Sequence, residues 1–284
     1  MQIKSILRFN LSRLRNLYNS RNVKRFVFLT ASVIYFLTST FFILNYGEGE
    51  NPYVAFTMSI VNILIFYFAL IPSNANPGKV LNQMIVPASY IVASFLLLNF
   101  FPNLITLFKL AFILISVFIY YFLLLSFNVF FVVEEKGSVI PLLRPARTTF
   151  LLIQIVAAFF FFTAIYKIIL TEPYAEITFI FQTAVVTFTV YLFSKSYWWS
   201  QNLEDEITSF VGNESLVIAF LTCFASIALS FYPTESFFRS LGLSVAYYIC
   251  INFFQSVVTH RFSNKSLLEY FIIGALALFF ILFV

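Results

Sequence analysis

The chain has 284 residues, of which 61% are hydrophobic, 21% aromatic and only 10% charged, and its mean hydropathy is +0.93. A soluble domain carries roughly 25% charged residues, so a soluble globular protein is excluded, and disorder is excluded because it requires low hydrophobicity and high charge. The net charge of +5 gives no support to a nucleic-acid-binding domain, because its basic residues prove to be sorted by membrane side, and what remains is a polytopic membrane protein.

Residues 1–19 form the first element. At 100° per residue Ile3, Ile6, Leu7, Leu11, Leu14, Leu17 and Tyr18 share one face, while Lys4, Arg8 and Arg15 gather on the other and Arg13 falls at the edge. That pattern predicts an amphipathic helix lying in the cytoplasmic interface. A basic orientation tail and a docking helix for a partner are the alternatives. The expected division is therefore a basic amphipathic cytoplasmic helix over residues 1–25 and a single transmembrane helical domain over residues 26–284.

A helix crosses a bilayer core of about 30 Å with roughly 20 apolar residues. About nine stretches approach that size: 26–46, 53–71, 83–101, 104–133, 148–170, 175–198, 215–232, 234–258 and 267–284. The third is short and the fourth long, and Pro102-Asn103 separates them. A kinked segment with a re-entrant piece is the other reading of that pair. Barrel strands alternate apolar and polar residues, whereas these runs are apolar all round. The predicted fold is all-α, a transmembrane bundle of antiparallel hairpins. The turns Asn51-Pro52, Pro102-Asn103, Glu172-Pro173 and Pro233-Thr234 suit such hairpins, because proline is tolerated in a helix's first turn, where its missing N–H has no intrahelical partner anyway.

Orientation follows from Lys and Arg. Lys4, Arg8, Arg13, Arg15, Arg21, Lys24 and Arg25 precede the first span, and Lys79, Lys136, Arg144, Arg147, Lys195, Arg261 and Lys265 fall on the same side. Only Lys109, Lys167 and Arg239 lie towards the other side, each near a helix end from which it can snorkel. The N-terminus is therefore expected in the cytoplasm and the C-terminus outside, in a multi-pass protein of the cytoplasmic (inner) membrane. The first span reads as an uncleaved anchor, because its apolar run exceeds a signal h-region and no A-x-A-like site follows it. The lipid bilayer, with anionic lipids at the cytoplasmic face, is the expected partner, together with a membrane protein partner. No nucleic acid is expected.

The spans hold little chemistry. No Asp, Glu, Lys, Arg or His falls near the middle of any of them, which argues against a proton-coupled pump. Only seven Gly are present, Gly242 and Gly274 being those inside spans, and Pro87 is the one proline clearly within a span, so the helices should be largely unbroken. Asn62, Gln154, Gln182, Asn252 and Gln255 are the strongest polar groups within spans, suited to hydrogen bonds between helices. A sharper alternative is a polar pocket formed by Gln154, Gln182, Thr183 and Thr187. His260 is the sole histidine, and no metalloprotease, P-loop, dinucleotide or nucleophile-elbow motif appears. Cys223 and Cys250 read as apolar fillers at different depths. No catalytic or metal site and no cofactor is expected. Tyr197-Trp198-Trp199 reads as an interface belt. The inner loops carry Arg144 and Arg147 against Glu204, Asp205 and Glu206, a candidate cytoplasmic interaction face.

Leu124-Leu125-Ser126-Phe127-Asn128-Val129, continuing to Pro141-Leu142-Leu143-Arg144-Pro145-Ala146-Arg147-Thr148, and Ala228-Leu229-Ser230-Phe231-Tyr232-Pro233 resemble a multi-span membrane family of candidate-phyla (small-genome) bacteria with no assigned activity. The resemblance runs from about residue 83 onwards. It implies a bacterial cell membrane and lends no catalytic residues. The leading expectation is a non-catalytic scaffold or assembly component rather than an enzyme. A permease or facilitator for a small or lipophilic substrate comes second, and an inner-leaflet lipid-modifying enzyme third. The topology predicts that a reporter fused at Val284 reports the outer side. A cytoplasmic signal there means that a span has been miscounted.

Overall fold

The computed structural model describes residues 21–46, 52–70, 77–101, 105–136, 141–168, 177–203, 209–232, 235–259 and 263–283. Every regular element among them is a helix: α1 (Arg21–Tyr46), α2 (Pro52–Leu70), α3 (Pro77–Gln83), α4 (Ile85–Phe100), α5 (Thr106–Lys136), α6 (Leu143–Lys167), α7 (Thr178–Gln201), α8 (Ser209–Ser230), α9 (Ser236–Val258) and α10 (Asn264–Phe283). The amphipathic reading of residues 1–19 and the triplet Glu204-Asp205-Glu206 lie outside the described residues, as does His260.

The helices α1, α2, α5, α6, α7, α8 and α9 are long and apolar enough to cross a membrane. The two other apolar segments, in α4 and α10, are helical but shorter. At 1.5 Å per residue the 16 residues of α4 reach about 24 Å, less than the core of about 30 Å. Pro87 accounts for the shortness. It has no N–H for the carbonyl of Gln83, four residues back, and its ring crowds that carbonyl. The helix accordingly breaks at Met84, leaving the seven-residue α3 on the other side of the break. Elsewhere prolines sit where they cost little: Pro52 and Pro77 open α2 and α3, and Pro145 lies in the first turn of α6.

The side-chain pattern is that of a bundle solvated by lipid. Along α1, Phe26, Leu29, Val33, Leu37, Phe41 and Leu44 point outwards, whereas Phe28, Ser32, Tyr35, Ser39 and Phe42 are buried. Large hydrocarbon faces out and hydroxyls face in, which water would penalise and lipid favours. Within the bundle α4 is the central post. It is buried along nearly its whole length, from Val86 to Asn99, and packs against α2 and α6 with further contacts to α1, α5 and α7. A helix apolar all round is either a core helix or a span, and α4 is enclosed by its own chain.

The C-terminal half repeats the hairpin arrangement, with α7 against α8 and α9 against both α6 and α8. Aromatic rings fill the joints. Trp199 of α7 packs on Phe127, Phe130 and Phe131 of α5 at 6.0, 5.7 and 5.6 Å between ring centroids. Phe150 of α6 meets Phe127 and Phe130 edge-on at 5.5 and 5.4 Å. This differs from the expected interface belt: Tyr197, Trp198 and Trp199 are all buried. They stand near the end of α7, where a belt belongs, but turn inwards: Trp199 packs on three phenylalanines of α5, and Tyr197 and Trp198 meet edge-on at 5.4 Å.

Helix α10 lies at the edge, packed on α9. It docks through Ala277 and Ile281 while Leu268, Phe271, Leu276, Phe279 and Phe280 remain exposed. Gly242 of α9 makes room for it, since a Cβ there would fall on Ile281 Cδ1. Helix propensity favours alanine at this position by about 1 kcal/mol, so Gly242→Ala is expected to stabilise an Ile281→Ala background but to lose that gain in the wild type, with a coupling of about 1 kcal/mol in a double-mutant cycle followed by thermal unfolding. Equal effects in both backgrounds would show that the α9–α10 contact does not depend on this close approach.

Candidate functional site

Polar side chains within the spans collect in two places. In the N-terminal half, Tyr35 of α1 donates to Ser94 Oγ of α4 at 2.9 Å, and Ser94 donates to the Tyr90 carbonyl at 2.6 Å. The Tyr35 ring stacks on Tyr120 of α5 at 4.7 Å, and Tyr90 OH donates to the Ser116 carbonyl of α5 at 3.1 Å. Asn62 of α2 is fully buried, and its Nδ2 donates to Thr38 Oγ1 of α1 at 3.0 Å. All of these bonds but the Ser94–Tyr90 one, which stays within α4, join two helices.

In the C-terminal half a seam runs between α6, α7, α8 and α9. At one end Tyr166 and Ser226 hydroxyls meet at 2.8 Å, and those of Thr163 and Ser240 at 2.5 Å. Near the middle of α6, Gln154 Nε2 donates to the Phe193 carbonyl of α7 at 2.6 Å and to Tyr247 OH of α9 at 2.8 Å. Ser194 lies beside the same tyrosine hydroxyl, and Ser244, one turn before Tyr247, is buried on the same face. At the other end Arg147 donates to the Ser200 and Gln201 carbonyls at 3.0 and 2.6 Å. Those are last-turn carbonyls of α7, which lack intrahelical partners and carry the negative end of the helix dipole.

The residues singled out from sequence are distributed as follows. Gln154 is wholly buried at the centre of the seam. Gln182 stands about 16 Å, roughly half a span, from the level of Gln154 and donates to the Ile168 carbonyl at 2.8 Å, covering the C-terminal end of α6. Thr183 and Thr187 come together on the wall of a separate groove of about 690 Å³ between α7 and α8, along with Ala184, Ala219 and Cys223. The Thr187 hydroxyl turns back to the Thr183 carbonyl at 2.8 Å. Arg144 is exposed, whereas Arg147 is engaged with α7. Asn252 bonds within its own helix, to the Tyr248 carbonyl at 2.8 Å.

Sequence reasoning does not reach Tyr35, Tyr90, Tyr120 and Tyr247, yet with Tyr197 they are the largest fully buried polar side chains among the described residues. Their sequence signal is weak, since a tyrosine in a span reads equally well as an interfacial residue. Chemically the two clusters consist of amides, phenols and aliphatic hydroxyls. They exchange hydrogen bonds and carry no fixed charge at mid-depth. Among the described residues no group of three or more His, Cys, Asp or Glu converges as a metal-binding set.

A bundle whose large hydrocarbon side chains face outwards and whose hydroxyls and amides gather inwards is a polytopic helical membrane protein. No protein-family model matches the chain, and no curated protein or solved structure matches it significantly.

The Gln154–Tyr247 bond is open to measurement. Interhelical hydrogen bonds in membranes contribute about 0.6 kcal/mol on average and about 1.7 at most. Gln154→Leu and Tyr247→Phe are each expected to cost about 1 kcal/mol, and the double variant less than the sum, in an unfolding titration. Strict additivity would mean that the two side chains do not stabilise one another.

Proposed function

We propose that this integral membrane protein is a non-catalytic assembly component, a rigid scaffold rather than an enzyme. The observation that carries the reading is Gln154. The one amide at the centre of α6 is fully buried and bonded to both α7 and α9, the helices that a central pathway would have to part. Aromatic packing supports it, because interlocked rings resist the sliding that alternating access requires. We further infer residence in a bacterial cytoplasmic membrane with the N-terminal side inside, on the gathering of Lys24, Arg25, Lys136, Arg144, Arg147, Lys195 and Lys265 at one end of the bundle. A facilitator for a lipophilic substrate is the second reading, favoured by the groove between α7 and α8, whose walls are almost wholly apolar.

Two measurements separate these readings. With Cys223 and Cys250 replaced by Ser, Gln154→Cys is expected to resist a membrane-impermeant maleimide from both sides of sealed vesicles. Labelling from either side would reveal a water-filled path and overturn the scaffold reading. On a native gel of gently solubilised membranes the chain should migrate in one complex well above its own 32.8 kDa. Migration solely as a monomer removes the assembly role.

A further inference from the structure

At the end of the bundle opposite the gathered basic residues, a cavity of about 290 Å³ lies between α4, α5, α6 and α9. Its walls are Leu97, Leu98 and Phe101 from α4, Phe112 from α5, Phe159 and Phe160 from α6 and Phe237 from α9. Two polar side chains join them, Lys109 and Thr163. Thr163 bonds to Ser240 and to its own helix, and Lys109 is the charged group of the wall. A second ammonium, Lys167, stands 5.1 Å above the ring of Phe101, itself part of the wall. A third cation, Arg239, follows Phe237 by two residues and stacks on Tyr166 at 5.2 Å, with its Nε buried and bonded to no acceptor. Glu235, the described carboxylate at this end, is exposed just before α9.

Depth and charge together define the occupant. Lys109 lies three residues into α5, about 5 Å from its start, and Lys167 is in the last turn of α6. Both ammoniums thus stand at head-group level, while Phe112, Phe159 and Phe160 lie deeper, at acyl-chain level. An aromatic and aliphatic cavity of this size takes up hydrocarbon in preference to water, as smaller apolar cavities take up benzene. Cations above and hydrocarbon walls below match an amphiphile with an anionic head. Two ammoniums, with a guanidinium at the same end of the bundle, favour phosphate, whose oxygens accept several charge-assisted hydrogen bonds. We propose that this cavity is a site for one anionic phospholipid, with its phosphate held by Lys109 and Lys167 and the upper part of one acyl chain inserted between Phe112, Phe159 and Phe237. This site lies on the face away from the basic rim, and it holds whichever account of the protein's role is correct.

The test uses the full chain in nanodiscs of phosphatidylcholine containing a small fraction of either phosphatidylglycerol or phosphatidylcholine that carries a photoactivatable diazirine in its acyl chain. After irradiation, digestion and mass spectrometry, the peptides bearing Phe112 and Phe159 should be labelled about tenfold more by the anionic probe than by the zwitterionic one. K109Q combined with K167Q is expected to reduce that preference to near unity, while K109R combined with K167R retains it. A thermal melt confirms that the variants remain folded, and if the glutamine pair does not fold, K109Q alone is read for a partial loss. Equal labelling of these peptides by both probes in the wild type overturns the site. So does a preference that survives in the glutamine variants. A diazirine fatty acid that labels the same peptides more strongly than the phospholipid would overturn the assignment to a phospholipid.

Discussion

Inside a bilayer there is no water to complete a hydrogen bond, and this one constraint organises the bundle. Hydrocarbon gains nothing by leaving lipid for protein, so apolar burial alone cannot choose which helix faces meet. Polar side chains can. Tyr35 illustrates how: a phenol on the lipid face of α1 would have no partner, whereas turned inwards it reaches Ser94 of α4 and stacks on Tyr120 of α5. Fixing that one side chain sets the rotation of α1, and with it sends Phe26, Leu29, Val33 and Leu37 outwards. Asn62 does the same for α2 through Thr38, and Gln154 for α6 through Phe193 and Tyr247.

The same constraint explains why α4 sits at the centre. It carries Tyr90, Ser94 and Asn99 and faces neighbours on all sides, so Tyr90 and Ser94 find partners on α5 and α1, whereas Asn99 Oδ1 is enclosed with none. Its break at Met84 is tolerable for the same reason. The carbonyl that Pro87 leaves without its usual donor is at Gln83, at the end of α3 and away from the middle of the bundle. Because α4 packs on both α2 and α6, it ties the first hairpins to the C-terminal ones. Aromatic rings then fill what the polar bonds have positioned, as around Trp199.

Much of the fold was legible in the sequence because the bilayer writes it in run lengths. Each of the nine apolar stretches corresponds to a helix, and Pro52 opens a helix as the hairpin pattern predicted. The seven helices of spanning length were separable from the two shorter ones only in part: the third stretch looked short, but the break that Pro87 imposes at Met84 shows only in the backbone. Rotation about each helix axis was not legible, since runs that are apolar all round have no face to read. That is why Tyr197, Trp198 and Trp199 read as an interface belt and proved to be core. It is also why Gln154 and Gln182, both buried, could be grouped from sequence, although one joins three helices at mid-depth and the other covers a helix end. The cavity beside Lys109 was illegible for a related reason. Its walls come from four helices, and no spacing along one chain segment records their convergence.

Charge is therefore excluded from the middle of this protein and useful only at its ends. At one end Arg147 is spent on the last carbonyls of α7, which would otherwise be orphaned near the membrane boundary. At the other, the carbonyl end of α6 is met by a neutral amide, Gln182. Lys167, in that same last turn, is thereby relieved of capping and stands over Phe101 instead. A helix terminus already satisfied by an amide leaves its cation available to something outside the chain, and at this depth in a membrane the anions at hand are lipid phosphates. Among the described residues the charged side chains stand near helix ends, so any recognition by charge is confined to these rims.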